Sequence, residues 1–184
     1  GRAKSVMPAA DTAAIVINAQ AGVEMLARRM INAAHEQRMC RMIIVNQIDA
    51  EDVDVEKVFK DIQEAFGPEG LPMYLPSADG NSVVDCFVQP EGEETAFSSV
   101  KEAHTQIVDQ VVEVDEELME LYLELGEELE AEQLHDPFEK ALREEHLIPV
   151  CFVSAETGVG IRQLLQIFER LMPNPTEANP PKFL

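Results

Sequence analysis

At 184 residues, 46% of them hydrophobic, the chain can bury a sizeable core as one ordinary domain, or as a domain carrying an insertion, which excludes wholesale disorder. Its 35 acidic and 14 basic residues leave a net charge of −21, a poor surface for neutralising phosphates, so direct nucleic-acid binding is excluded and a basic protein partner fits. The alternative is that the acid serves solubility alone; no run approaches the roughly 18 apolar residues needed to cross a bilayer, and no signal peptide is visible.

The first block alternates strand and helix. Residues 12–19 form a short, largely apolar run of the kind buried on both faces of a parallel sheet. Gly22 turns the chain into a helix with Val23, Leu26, Met30, Ile31 and Ala34 at three- and four-residue spacing. A second buried strand follows at 41–45. A helix then runs from about 54 to 66 with Val55, Val58, Phe59, Ile62 and Phe66 on one face, capped by Asp52 or Asp54 and ended by Gly67-Pro68. Such alternation is the pattern of right-handed βαβ units in a doubly wound sheet.

The rhythm breaks from 69 to 89. Strand-like runs at 71–75 and 83–88, separated by Pro76, Asp79-Gly80-Asn81 and Pro90, point to a small antiparallel element. Ser99 to Glu102 has the form of a capping box and opens a long helical stretch. Along it Val100, Ile107, Val108, Val111, Val114, Leu118, Leu121, Tyr122 and Leu125 lie near one stripe, expected to be local core, while the opposite face is strongly acidic. Neither Lys nor Arg occurs between Lys101 and Lys140. Asp136-Pro137 reads as a cap and first helical position of a helix through about His146. The α/β pattern resumes with a buried strand at 148–153 and a helix at 160–172, with Ile161, Leu164, Leu165, Phe168 and Leu171 inward. Pro173, Pro175, Pro180 and Pro181 stop it, and with the abrupt start at Gly1 they make the chain read as a piece of a longer protein.

Cys40, Cys86 and Cys151 lack metal or redox spacing and read as buried, reduced thiols of a cytoplasmic protein. The dispersed His35, His104, His135 and His146 are assigned to helix surfaces, and neither a metal ligand nor a catalytic residue is assigned.

Chemistry concentrates after two of the strands. Asn46-Gln47-Ile48-Asp49 follows the second, and Ser154-Ala155-Glu156 follows the last. A guanine base presents N1–H and its 2-amino group side by side, and one carboxylate, that of Asp49, can accept both. Adenine places an acceptor where guanine has a donor, so the same carboxylate rejects it. Guanine O6 needs a donor from the other side, for which the Ala155 N–H is the candidate, with Asn46 tying the loops together. Both loops lie beyond the carboxyl ends of parallel strands, where such sheets bind ligands. Alone, Asn-x-x-Asp is weak and serves turns and caps as well.

These residues carry a resemblance that spans nearly the whole chain. Residues 10–24, the Ile43 to Asp49 segment against V-N-K-x-D, Val83-Val84-Asp85, the 115–123 segment, Ile148 to Ala155, and Leu171-Met172-Pro173-Asn174-Pro175 together resemble the GTPase domain of elongation factor G, closest to its elongation factor G-like branch. The resemblance implies an α/β fold: a partial P-loop GTPase of three parallel strands with flanking helices, interrupted by a small α+β insertion. Residues 1–67 and 148–184 would be the C-terminal half of the GTPase domain, and 68–147 the inserted subdomain with acidic helices. The implied protein is a GTP-binding translation factor acting on the ribosome, with GTP or GDP and Mg in the full-length protein. Asn46, Gln47, Asp49, Ser154, Ala155 and Glu156 would surround the guanine, and the insertion would contact the ribosomal stalk protein.

This sequence departs from the family in two ways. Gln47 stands where the family has Lys, so the side chain over the base carries no charge and GTP affinity falls. No Gly-x-x-x-x-Gly-Lys-Ser/Thr loop is present, so this stretch alone is expected to hold no nucleotide and to hydrolyse none. The first strand should then be an unpaired edge that invites dimers. The alternative is a nucleotide-independent module that binds a ribosomal or other partner through its acidic insertion.

Overall fold

In the computed structural model, which describes residues 5–87, 94–125, 129 and 131–172, four runs form one parallel sheet. They are β1 (Thr12–Asn18), β2 (Cys40–Asn46), β3 (Gly70–Pro72) and, after the helical stretch, β6 (Ile148–Phe152), in the order β1-β2-β6-β3. The register sets Asn18 beside Asn46 at the carboxyl ends of β1 and β2, and Val45 beside Phe152. Every residue of β6 is buried, as a central parallel strand requires.

Two of the helices flanking the sheet are α1 (Met25–Glu36) and α2 (Val55–Phe66). The start of α2 is settled by Asp54, whose carboxylate accepts the Lys57 N–H at 2.9 Å, and Gly67 at φ 105° ends it. Val58, Phe59 and Ile62 are buried, with Val55 and Phe66 packed against the core.

The first strand and helix differ from expectation. Instead of burial on both faces, β1 alternates: Ile15 and Ile17 are buried, while Val16 is 61% exposed. Leu26, expected inward on α1, is 66% exposed, and burial there falls to Ile31, Ala33 and Ala34. Val16 and Leu26 line an open trough of about 340 Å³ with Val6 and Met7. Beyond β1 no further strand pairs among the described residues. Apolar periodicity identifies which residues favour cover, and among the described residues Val16 and Leu26 have none.

The run at 71–75 splits between two sheets. Leu71 pairs with Pro149 in the parallel sheet, which makes β3 its fourth strand rather than part of an antiparallel element. Then β4 (Tyr74–Pro76) pairs antiparallel with β5 (Val83–Asp85). Met73 is the joint, donating to Val150 O at 3.0 Å and accepting from Cys86 N–H at 3.1 Å. A three-residue parallel strand bounded by Pro72 carries no periodicity of its own. Val88, the end of the second run, and Gln89 and Pro90 after it lie outside the described residues.

The long helical stretch is broken into α3 (Val100–Val112) and α4 (Glu116–Leu125). Ser99 caps α3 by accepting the Glu102 N–H at 3.1 Å, and Asp115 restarts the chain by accepting the Leu118 N–H at 3.0 Å. The stripe is local core: Val100, Ile107, Val108, Val111, Val114 and Leu118 are buried, and the side chain of Leu125 lies outside the described residues. His104 is buried within α3 rather than on a helix surface, its Nδ1 2.9 Å from Cys86 O.

The next helix, α5 (Ala131–Arg143), starts before the expected cap and holds Pro137 in its interior. Pro137 removes one helical hydrogen bond, but Leu134, Phe138, Ala141 and Leu142 are all buried on one stripe, and that packing carries the helix through. In the last helix, α6 (Ile161–Arg170), Leu164 and Ile167 are buried, while Leu165 and Phe168, expected inward, are 58% and 40% exposed. Pro173, Pro175, Pro180 and Pro181 lie outside the described residues.

His135 joins α5 to α6, with Nε2 2.9 Å from Arg170 O in the last turn of α6. That carbonyl, and then Asp136 beside it, raise the imidazole pKa. A raised folded-state value means the contribution is complete below the ordinary histidine pKa and lost as pH rises through the raised one. The stability advantage of the native chain over His135→Asn is therefore expected to be larger at about pH 5.5 than at about pH 8.5, read from urea midpoints; equal advantages would refute the contact.

All three cysteines are free and buried. Burial pushes the Cys151 thiol up to about 12, Cys86 to about 12 and Cys40 to about 11.

Candidate functional site

Three loops converge at the carboxyl ends of β1, β2 and β6. Asn46 ends β2, and its Oδ1 accepts the Ala155 N–H at 3.0 Å, joining the loop after β2 to the loop after β6. The backbone repeats the link, with Ile48 N–H on Val153 O at 3.4 Å and Val153 N–H on Val45 O at 2.8 Å. On the other side, Ala19 N–H donates to Asn46 O at 2.9 Å and Gln20 Nε2 to Glu51 O at 3.3 Å. Asn46 thus sits between both neighbouring loops.

The expected residues fall into distinct places. Asp49 is exposed, and among the described residues its carboxylate accepts no hydrogen bond from the protein. Ala155 and Glu156 are exposed in the facing loop. The Ala155 N–H, expected to meet a ligand, is held by Asn46, whereas the adjacent Glu156 N–H meets no protein acceptor among the described residues. Ser154 is fully buried and faces its own loop, its Oγ accepting the Thr157 N–H at 3.1 Å. Gln47 has φ 64°, a left-handed conformation uncommon outside glycine, and its Oε1 accepts a hydrogen bond from Asn18 Nδ2.

Asn18 and Gln20 were not singled out in the sequence. The available signal was local: an Asn ending a strand, whose Oδ1 takes the N–H groups of Gln20 at 2.8 Å and Ala21 at 3.1 Å in an Asx turn.

The loop after β6 depends on Gly160, the N-cap of α6, with φ 72°. A Cβ there would lie 2.2 Å from Phe152 O, a backbone atom with no freedom to give way. Gly160→Ala is expected to destabilise the chain by at least ~2 kcal/mol, from left-handed strain plus the clash. Urea unfolding checks it, and a loss below half of that would contradict the close approach.

The loops after β2 and β6 offer, among the described residues, the Asp49 carboxylate without a hydrogen bond from the protein and the Glu156 N–H without a protein acceptor. That set fits the two N–H donors and one carbonyl on a guanine edge.

Comparison with known proteins identifies the family. Residues 2–174 match the family described as Elongation factor Tu GTP binding domain. An elongation factor G-like protein of Mycobacterium tuberculosis (strain H37Rv) is 30% identical over 191 residues, covering 96% of this chain and 26% of that protein. Elongation factor G of Fervidobacterium nodosum is 30% identical over 190 residues, covering 94% of this chain and 27% of the relative. A crystal structure of a Thermus thermophilus protein superposes with a TM-score of 0.79 at 30% identity, over 95% of this chain and 28% of that one. The chain spans about a quarter of the length of these relatives. It belongs to the elongation factor Tu GTP-binding domain family, and it is similar over nearly all its length to elongation factor G-like proteins.

Proposed function

We propose that this chain is the guanine-reading part of a GTP-dependent translation factor that works on the ribosome in the cytoplasm. The observation that carries the reading is the Asn46–Ala155 hydrogen bond at 3.0 Å, which draws the two base-reading loops together. Asp49 takes the guanine N1–H and 2-amino group. O6 takes the Glu156 N–H, beside the Ala155 N–H already bonded to Asn46. Gln47 covers the ring, and Ser154 shapes the loop from beneath. Residues 1–67 and 148–184 act as half of a GTPase domain, although β3 brings part of the 68–147 insertion into the same sheet. Phosphates and Mg2+, and with them hydrolysis, call on groups that these loops do not contain.

The acidic face of the insertion supports a protein role beside the nucleotide site, and the ribosomal stalk protein is the proposed partner. Direct nucleic-acid contact is not part of this reading, given the net charge of −21. The unpaired β1 edge and the apolar trough beside it offer a route to dimers of the chain when it is studied alone. A second reading, a nucleotide-independent binding module, draws on the uncharged Gln47 and on the Lys- and Arg-free stretch between Lys101 and Lys140.

Titrating the full-length protein with fluorescent GDP, then competing with GDP and ADP, separates the two. The GTPase reading expects saturable binding displaced by GDP and not by ADP. Absence of binding at tens of micromolar would leave the protein-binding module.

A further inference from the structure

Gln47 is set by Asn18, and this pairing rests on the nucleotide reading above only for its effect on affinity. The Asn18 amide cannot turn over freely: its Oδ1 holds the N–H groups of Gln20 (2.8 Å) and Ala21 (3.1 Å), so its Nδ2 must point away from that turn. There it donates to Gln47 Oε1 across 29 residues of sequence. The next residues are laced in the same sense, with Asn18 paired in register with Asn46 and Ala19 N–H on Asn46 O at 2.9 Å. Position 47 therefore faces a fixed donor and needs an acceptor. Gln supplies one; Lys has three donors and no acceptor.

We propose that Asn18 is a positioning residue for the base-reading loop, and that Asn18 and Gln47 form a matched neutral clasp which takes the place of a charged residue at 47. Gln47 is then not a weakened Lys. Putting Lys back sets donor against donor, releases the loop from β1, and lowers affinity for a guanine nucleotide. Asn18→Asp alone is milder, because Gln47 can rotate its amide and donate Nε2–H to the new carboxylate oxygen. With Asp at 18, Lys at 47 finds an acceptor of opposite charge, and the clasp returns in a form that salt weakens.

The test uses four full-length proteins: native, Asn18→Asp, Gln47→Lys and the double variant. GDP affinity is read by displacement of fluorescent GDP at low and high salt. Gln47→Lys is expected to bind about three- to tenfold more weakly, the scale of one hydrogen bond. Asn18→Asp should lose less than Gln47→Lys. The double variant should regain most of the loss at low salt and give part of it back at high salt. Tighter GDP binding by Gln47→Lys than by the native protein, or a double variant no better than Gln47→Lys, would overturn the proposal. If the native protein binds no GDP, the nucleotide reading fails by itself. The clasp is then judged from urea midpoints of the same four proteins: recovery in the double variant supports it, and additive losses overturn it.

Discussion

Replacing Asp49 with Asn is expected to lower the affinity of the full-length protein for GDP by about two to four orders of magnitude, because hydrogen bonds to a charged acceptor contribute about 1.5–3 kcal/mol each and two are altered. The loss comes with a change of preference. An Asn side chain offers one acceptor and one donor, and xanthine carries a carbonyl where guanine has its amino group. Asp49→Asn should therefore favour xanthosine diphosphate over GDP, whereas the native protein is expected to do the reverse. Competition of the two diphosphates against a fluorescent nucleotide reads both changes at once. Retention of native GDP affinity within about threefold would mean that Asp49 is not the group gripping the base.

Phe152→Ala is expected to cost about 3–5 kcal/mol of folding stability, the range for a large aromatic removed from a core. Phe152 is 1% exposed. Its ring lies 5.6 Å from Phe97 and 6.3 Å from Phe59, which are themselves stacked at 5.3 Å. The three rings come from β6, α2 and the segment leading into α3, so the substitution opens a cavity where the sheet meets the 68–147 stretch. Two residues past Phe152 stands Ser154, buried at the root of the loop after β6 that is proposed to read the base. GDP affinity should thus fall along with the urea midpoint. A stability loss under ~1.5 kcal/mol would show that the site collapses to fill the gap.

Much of this architecture is written in local chemistry. Asp54 and Ser99 announce their helices because a cap is a contact between residues three apart, visible without any tertiary knowledge. The strand ends bearing Asn46 and Ser154 are legible for a similar reason, as uninterrupted apolar runs closed by polar residues. What depends on distant partners was harder to read. Leu71 and Leu75 sit in one apolar run, yet Pro149 claims the first for the parallel sheet and Val84 pairs the second in the hairpin. Pro137 looks like a helix start by its own preference, and only the buried stripe from Leu134 to Leu142 keeps the helix running through it. Leu26, Leu165 and Phe168 have the right spacing for burial, but spacing cannot say whether a surface exists to receive them. Within the site, the demands of a purine edge point to Asp49 and Ala155, yet the Ala155 N–H is held by Asn46. Asn18 escaped notice because its role depends on the orientation of one amide, fixed by two backbone donors.

The three thiols are spread over different parts of the fold: Cys40 begins β2, Cys86 follows β5 and Cys151 lies inside β6. A thiol that is buried and reluctant to ionise reacts with an alkylating reagent only while its surroundings are briefly open. Each cysteine therefore works as a built-in clock for its own neighbourhood. The order in which mass spectrometry finds them labelled would reveal whether the hairpin or the sheet lets go first.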